Sequence, residues 1–119
     1  MEKIAIGSSG LQTSRIGLGT WAIGGWMWGG TDEAQSIATI RSAVERGIAL
    51  IDTAPVYGFG RSEEIVGMAL AEGSLRDKVQ IATKVGVAWK DDGALYRDSR
   101  PARIRKEVED SLHRCQPHA

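Results

Sequence analysis

Residues 48–70, IALIDTAPVYGFGRSEEIVGMAL, contain the pattern that decides the fold. The run 48–51 is apolar throughout, which is typical of a strand that is covered on both faces. A glycine-containing loop follows. Ser62 can then cap a helix that carries Glu63 and Glu64 at the positive end of its dipole. This stretch therefore predicts one unit of strand, loop and helix.

A second unit of the same kind follows along the chain. The run 79–83, VQIAT, predicts another buried strand, and we expect a polar loop after it. Ser99 can cap a third helix. The apolar stripe of this helix has helical spacing and consists of Ile104, Val108 and Leu112.

The residues before position 48 predict a hairpin and a further unit. Segments 3–6 and 11–16 flank the turn-forming tetrad 7–10, Gly-Ser-Ser-Gly. The segment 16–20, IGLGT, predicts a short buried strand, and a loop rich in glycine and tryptophan separates it from a helix capped by Asp32. The order is therefore a hairpin followed by three βα units. Such alternation predicts an α/β fold with a parallel sheet.

The composition is that of an ordinary globular protein, and we expect residues 1–119 to form a single domain. Fifteen basic residues balance fifteen acidic ones, so no nucleic-acid partner is expected. No apolar run is long enough for a signal peptide or a membrane span, so no membrane partner is expected. The single Cys115 cannot form an internal disulfide, which fits a cytoplasmic location.

Three polar side chains near two strand ends are predicted to meet. Asp52 follows the strand at 48–51 and Lys84 follows the strand at 79–83, one βα period later. Neighbouring strands lie about 4.8 Å apart, so a carboxylate and an ammonium at equivalent strand ends can pair. A lysine held by a carboxylate stays charged and favours the ionised form of a nearby phenol. Tyr57, on the loop after Asp52, is therefore a candidate proton donor.

A plain ion pair between Asp52 and Lys84, with Tyr57 as a surface aromatic, is the alternative. Acids, phenols and amines occur together in many proteins, and a sequence shows no pocket. The spacing of these residues alone leaves both interpretations open.

Three segments of the chain resemble the aldo-keto reductase family, close to its bacterial and channel-subunit-like branches. They are MEKIAIGSSGLQTSRIGLGTW at 1–21, IDTAPVYGFGRSEEIVG at 51–67 and VQIATKVG at 79–86. Members of this family are (β/α)8 barrels that reduce aldehydes and ketones with NADPH or NADH. The resemblance implies that Tyr57 is the proton donor, that Lys84 makes it more acidic and that Asp52 is the partner of Lys84.

The resemblance also implies which residues bind the cofactor, NADPH or NADH. The implied set is Gly19, Thr20, Trp21 and Asp52, beside the nicotinamide half. The segment 17–22 also matches the loose pattern G-x-G-x-x-A, but no helix opens directly after it, so we interpret that match as coincidental. The family holds most of its cofactor with strands six to eight, so incomplete binding is expected. No metal is expected.

Aromatic side chains near the same strand ends are candidates for an apolar pocket that accepts a small carbonyl substrate. The predicted pocket residues are Trp21, Tyr57 and Trp89. Trp26, Met27 and Trp28 are further candidates, although Trp26 and Trp28 are equally expected to pack their loop onto the barrel rim.

The pattern accounts for a hairpin and about three of the eight βα units of a TIM barrel, which takes about 250 residues. Residues 113–119, HRCQPHA, depart from the family pattern where a fourth strand would begin. We interpret this atypical tail as a truncation or a change of reading frame. The family has a catalytic histidine after its fourth strand. His118 is not assigned that role, because no strand fits between Leu112 and His118.

Three functional hypotheses follow. The chain is a carbonyl reductase that uses Asp52, Tyr57 and Lys84; or it is a non-catalytic remnant or a regulatory or interaction module; or it is a partial barrel that is active only with a complementary piece. An open sheet has unpaired edges, so self-association through these edges is also expected.

Overall fold

The computed structural model describes residues 1–116. Its strands are β1 (Lys3–Ala5), β2 (Gln12–Ser14), β3 (Leu18–Gly19), β4 (Leu50–Asp52), β5 (Gln80–Ala82), β6 (Val87–Trp89) and β7 (Leu95–Arg97). Its α-helices are α1 (Glu33–Glu45), α2 (Arg61–Leu70) and α3 (Pro101–Cys115), with short 3-10 helices at Ala22–Gly24 and Leu75–Lys78. His118 and the end of the tail 113–119 lie outside the described residues.

The strands form the predicted hairpin and the predicted parallel sheet. β1 and β2 pair antiparallel, while β3, β4 and β5 pair parallel in that order. Each strand is shorter than the segment that predicted it. The register places Asp52 opposite Gly19 on one side and Ala82 on the other. Asp52 is therefore the last residue of the central strand β4. Lys84 lies two residues after the last residue of the neighbouring strand β5.

The core lies between this sheet and helices α1 and α2. Asp32 caps α1, because its carboxylate accepts the backbone N–H of Gln35 at 2.9 Å, as predicted. The apolar faces of the two helices meet Ile51 of β4, and none of these side chains is more than 9% exposed. The core residues are Ile40, Val44, Ile51, Ile65, Val66, Ala69, Leu70, Leu75 and Val79.

The predicted caps of the other two helices are wrong. α2 begins at Arg61 with Gly60 at the cap position, where a φ of 92° suits glycine. Ser62 lies inside the helix and its hydroxyl points inward to other hydroxyl groups. α3 is preceded by Arg100 rather than Ser99, and its first residue is Pro101, whose fixed φ favours a helix start.

The loop predicted after β5 contains a second hairpin. β6 and β7 pair antiparallel with Ala88 opposite Tyr96. The turn between them carries Asp91-Asp92-Gly93, and Gly93 has a φ of 84°. An Asp-Gly pair between short β-forming segments is a hairpin signal that the prediction of a polar loop overlooked.

The predicted apolar stripe of α3 does not face the core. Val108 is 45% exposed and Leu112 is 55% exposed, whereas the buried residues of this helix are Glu107, Ser111 and Cys115. The side of α3 that faces α2 and the loop after β5 holds polar groups that bond to them. Val108 and Leu112 instead border a groove that is also lined by Ile81 of β5.

Among residues 1–116, none of the helices has both the length and the apolar character that crossing a membrane requires.

Candidate active site

The structure brings Lys84 and Asp52 together at the ends of β5 and β4. The Lys84 ammonium donates to both carboxylate oxygens of Asp52, at 3.0 and 3.1 Å, and to the carbonyl oxygen of Thr53 at 2.8 Å. Both charged side chains are 48% exposed. The pair is therefore fixed by three contacts and is still open to a small molecule.

Tyr57 lies next to this pair. The Lys84 Nζ is 5.0 Å from the centre of the Tyr57 ring, and this ring also stacks with Trp21, with the two ring centres 6.1 Å apart. Burial by itself lowers the pKa of Lys84, but hydrogen bonds with Asp52 and Tyr57 outweigh it and raise that pKa overall. Lys84 is therefore a cation at neutral pH, beside the phenol.

Two glycines bring the Tyr57 loop against the preceding tryptophan-rich loop. A Cβ added at Gly24 would lie 2.5 Å from the carbonyl oxygen of Tyr57, and one added at Gly58 would overlap the backbone of Gly24. The two loops thus pack backbone against backbone. This close packing sets the position of Tyr57 relative to Trp21.

A layer of buried hydroxyl groups lies beneath Asp52. Thr20 Oγ1 donates to the Asp52 carbonyl oxygen at 3.0 Å, and Ser62 Oγ lies 2.7 Å from Thr20 Oγ1 and 2.9 Å from Thr53 Oγ1. All three hydroxyl residues are fully buried. Thr20, a predicted cofactor residue, therefore has its side chain bonded within the protein, whereas its neighbours Gly19 and Trp21 are exposed.

The aromatic side chains form two groups rather than one pocket wall. Trp21 contacts Tyr57 and, edge to face at 5.7 Å, Trp28. Trp89 instead contacts Phe59, which also contacts Trp26, with both pairs of ring centres 5.5 Å apart. The predicted pocket set of Trp21, Tyr57 and Trp89 is thus divided between the two groups. Phe59, which contacts both Trp26 and Trp89, was not among the predicted pocket residues, although it lies only two residues after Tyr57 in the same loop.

No group of three or more His, Cys, Asp or Glu side chains within residues 1–116 is arranged to hold a metal ion.

A parallel sheet that alternates with helices and carries polar side chains at the ends of its strands is the arrangement expected of part of a (β/α)8 barrel. The model of the aldo/keto reductase family matches residues 15–118. The chain belongs to this family of oxidoreductases, and what the structure describes is part of its barrel.

Three relatives show how far the likeness extends. The chain is 60% identical to aldo-keto reductase YhdN of Bacillus subtilis, over 98% of this chain and 35% of that protein. It is 46% identical to the NADH-specific methylglyoxal reductase of Escherichia coli, over 96% of this chain and 38% of that protein. The glycerol dehydrogenase AKR11B4 of Gluconobacter oxydans superimposes with a TM-score of 0.82 at 57% identity, over 95% and 35% of the two chains. The chain thus spans about a third of the length of the curated relatives it matches.

Proposed function

We propose that this chain supplies the proton-donating part of a carbonyl reductase, which converts an aldehyde or a ketone to an alcohol with NADPH or NADH. The observation that carries the proposal is the Lys84 ammonium, which is bonded to Asp52 and Thr53 while it faces the ring of Tyr57. A carboxylate, an amine and a phenol in this arrangement suit proton transfer to an oxygen atom.

The nicotinamide cofactor, when bound, supplies the hydride that the carbonyl carbon accepts. Tyr57 then donates its hydroxyl proton to the carbonyl oxygen, which becomes the hydroxyl oxygen of the alcohol. The positive charge of Lys84 stabilises the phenolate that remains until a proton from solvent restores the hydroxyl. Asp52 holds Lys84 in place, and the stack of Trp21 on Tyr57 restricts the rotation of the phenol ring.

The residues present fit the nicotinamide end of such a cofactor. A Cβ at Gly19 would meet nothing within 4 Å, so the backbone there is open to a flat ring. Trp21 is 43% exposed, and Asp52, which lies opposite Gly19 in the sheet, is half-exposed. We propose that these three residues contact the nicotinamide half, with Thr20 supporting them from beneath. A cytoplasmic location, where reduced nicotinamide cofactors are available, is part of the proposal.

A partial barrel that needs its complement is the second candidate. The observation that favours it is the groove beside β5, about 230 Å³ in volume, which is bordered by the exposed apolar side chains Val85, Val108 and Leu112. The chain also spans only about a third of its relatives. In this case the proposed chemistry appears only when the rest of a barrel covers the groove.

A complementation assay tests both candidates. The chain is assayed for oxidation of NADPH and of NADH with an aromatic aldehyde, first alone and then after refolding with the YhdN segment that follows the matched third. Turnover by the mixture, with little by either part, supports the partial barrel, while turnover by the chain alone supports an independent reductase. If neither sample oxidises the cofactor in the presence of the aldehyde, the proposed function is wrong, and a non-catalytic module remains.

A further inference from the structure

Two glutamate side chains are buried close to the loop that carries Lys84. Glu63, in the first turn of α2, is 0% exposed, and Glu107, in the middle of α3, is 3% exposed. Burying a carboxylate costs free energy unless the charge is paired and hydrogen-bonded. The groups that bind these two carboxylates therefore indicate the structural role of each buried glutamate.

Glu63 holds the residue that directly precedes Lys84. Thr83 Oγ1 donates to Glu63 Oε1 at 2.6 Å, and Arg114 Nη1 donates to Glu63 Oε2 at 2.7 Å. The guanidinium reaches Glu63 across Gly60, where an added Cβ would lie 2.9 Å from Arg114 Nε. One carboxylate oxygen thus binds Arg114 of α3, and the other binds Thr83, the residue directly after β5.

Glu107 holds the residue two positions after Lys84. Its Oε2 accepts the backbone N–H of Gly86 at 2.8 Å, and Arg103 Nη2 lies 3.6 Å from its Oε1. The two ends of the segment 83–86 are therefore bound by buried carboxylates from two different helices.

Lys84 needs such support because its own segment is irregular. Residues 83–85 belong to no helix or strand, yet the Lys84 ammonium keeps three contacts of 2.8 to 3.1 Å. A lysine side chain is flexible, so the place of its charge depends on a fixed backbone. A shift of that backbone would move the ammonium away from Asp52 and Tyr57 together.

We propose that Glu63 and Glu107 are positioning residues that fix the place of the Lys84 ammonium through Thr83 and Gly86. The catalytic role of the Lys84 ammonium rests on the proposed carbonyl reduction. Its placement can be measured without any turnover.

The test is a titration of the lysine side chains by NMR, with lysine labelled with 13C at Cε. Thr83→Val removes the hydroxyl that Glu63 binds and keeps the shape of the side chain. We expect the Lys84 titration midpoint to fall by about half a pH unit, because the contacts that raise it are loosened. Thr83→Ser keeps the hydroxyl and restores the original Lys84 midpoint.

One control and a second test variant separate positioning from a general loss of stability. Ile65→Val removes a buried methylene from α2 without touching the segment 83–86, and it should leave the Lys84 midpoint unchanged. Glu107→Leu removes the acceptor of the Gly86 N–H and should lower that midpoint as Thr83→Val does. If Thr83→Val does not fold, Thr83→Ala removes the same hydroxyl and is interpreted in the same way.

The proposal is overturned if the Lys84 midpoint in the folded Thr83 variants equals that of the original chain, or if Ile65→Val shifts it equally. The carbonyl reduction assay is a separate experiment. A chain without turnover can still show the expected titration, so failure of the proposed function and failure of this proposal are distinguished.

Discussion

Lys84 is the residue whose position the local structure determines and on which the proposed chemistry depends. Its position after a strand end was predictable because parallel strands bring their C-terminal ends to one edge of the sheet. The same rule predicted its contact with Asp52, which the structure shows at 3.0 Å. The burial of Glu63 and Glu107 was not predictable, because glutamate is rarely buried and a sequence does not show which arginine will pair with it.

The pKa of Lys84 leads to a prediction about stability and pH. A lysine whose pKa is raised by folding contributes stability that is fully present below its unfolded value of 10.5 and is lost as pH rises through the folded value. We expect Lys84→Met to lower the free energy of unfolding at pH 8 by no more than about 1 kcal/mol, since the pair is half-exposed. Urea unfolding at pH 8 and above pH 11 measures this. A difference that stays constant with pH would contradict it.

Cys115 leads to a second prediction at this scale. Burial, together with the nearby charge of Glu63, raises the pKa of this thiol to about 12. We expect a disulfide reagent to label Cys115 very slowly at pH 8 in the folded chain and rapidly in urea, because the thiolate is the reactive form. Absorbance of the released thiol follows the reaction. Rapid labelling without denaturant would show that the end of α3 opens in solution.

At the scale of elements, the alternation of strands and helices was predictable from the sequence, but the orientation of α3 was not. Periodicity identified a helix there with Val108 and Leu112 in its apolar stripe, but the structure leaves these two side chains exposed and buries Glu107 and Ser111 instead. The reason is physical: helix spacing shows that a helix has an apolar side, but not which neighbour will cover that side. In this chain, the polar side of α3 is buried because Gly86 and Glu63 offer it partners.

The contact between the two loops at Gly24 predicts the effect of a single methyl group. Gly24→Ala places a Cβ against the Tyr57 backbone, so we expect the Tyr57 loop to move and the stack between Trp21 and Tyr57 to weaken. The loss should appear in the near-ultraviolet circular dichroism of the aromatic residues. Gly29→Ala, in the same loop, is the control, since its Cβ would meet nothing within 4 Å, although its positive φ adds some strain.

At the scale of the whole molecule, the parallel sheet has three strands within residues 1–116, and its outer strand β5 borders an apolar groove. Val85, Val108 and Leu112 are each more than 40% exposed there. Open edges next to apolar surface favour association. The sequence predicted the open edges from the number of βα units, whereas the groove depended on how α3 is oriented.

We propose that the 119-residue chain, on its own, associates with further copies through this groove. Sizing chromatography over a range of concentrations should show an apparent mass that rises with concentration. Val108→Glu with Leu112→Lys should reduce the association, whereas Ile4→Lys on the first hairpin, which changes an exposed apolar residue elsewhere, should not. A monomer at every concentration would contradict the proposal.

The central claim is that Tyr57 donates the proton in carbonyl reduction, and replacing its hydroxyl tests this most directly. The rate of cofactor oxidation with an aromatic aldehyde is measured for the complemented barrel with Tyr57→Phe and with Tyr96→Phe, the second tyrosine of the chain, on β7. The account predicts a loss of about 10² to 10⁴-fold for Tyr57→Phe and an unchanged rate for Tyr96→Phe. Equal rates for Tyr57→Phe and the original chain would contradict it.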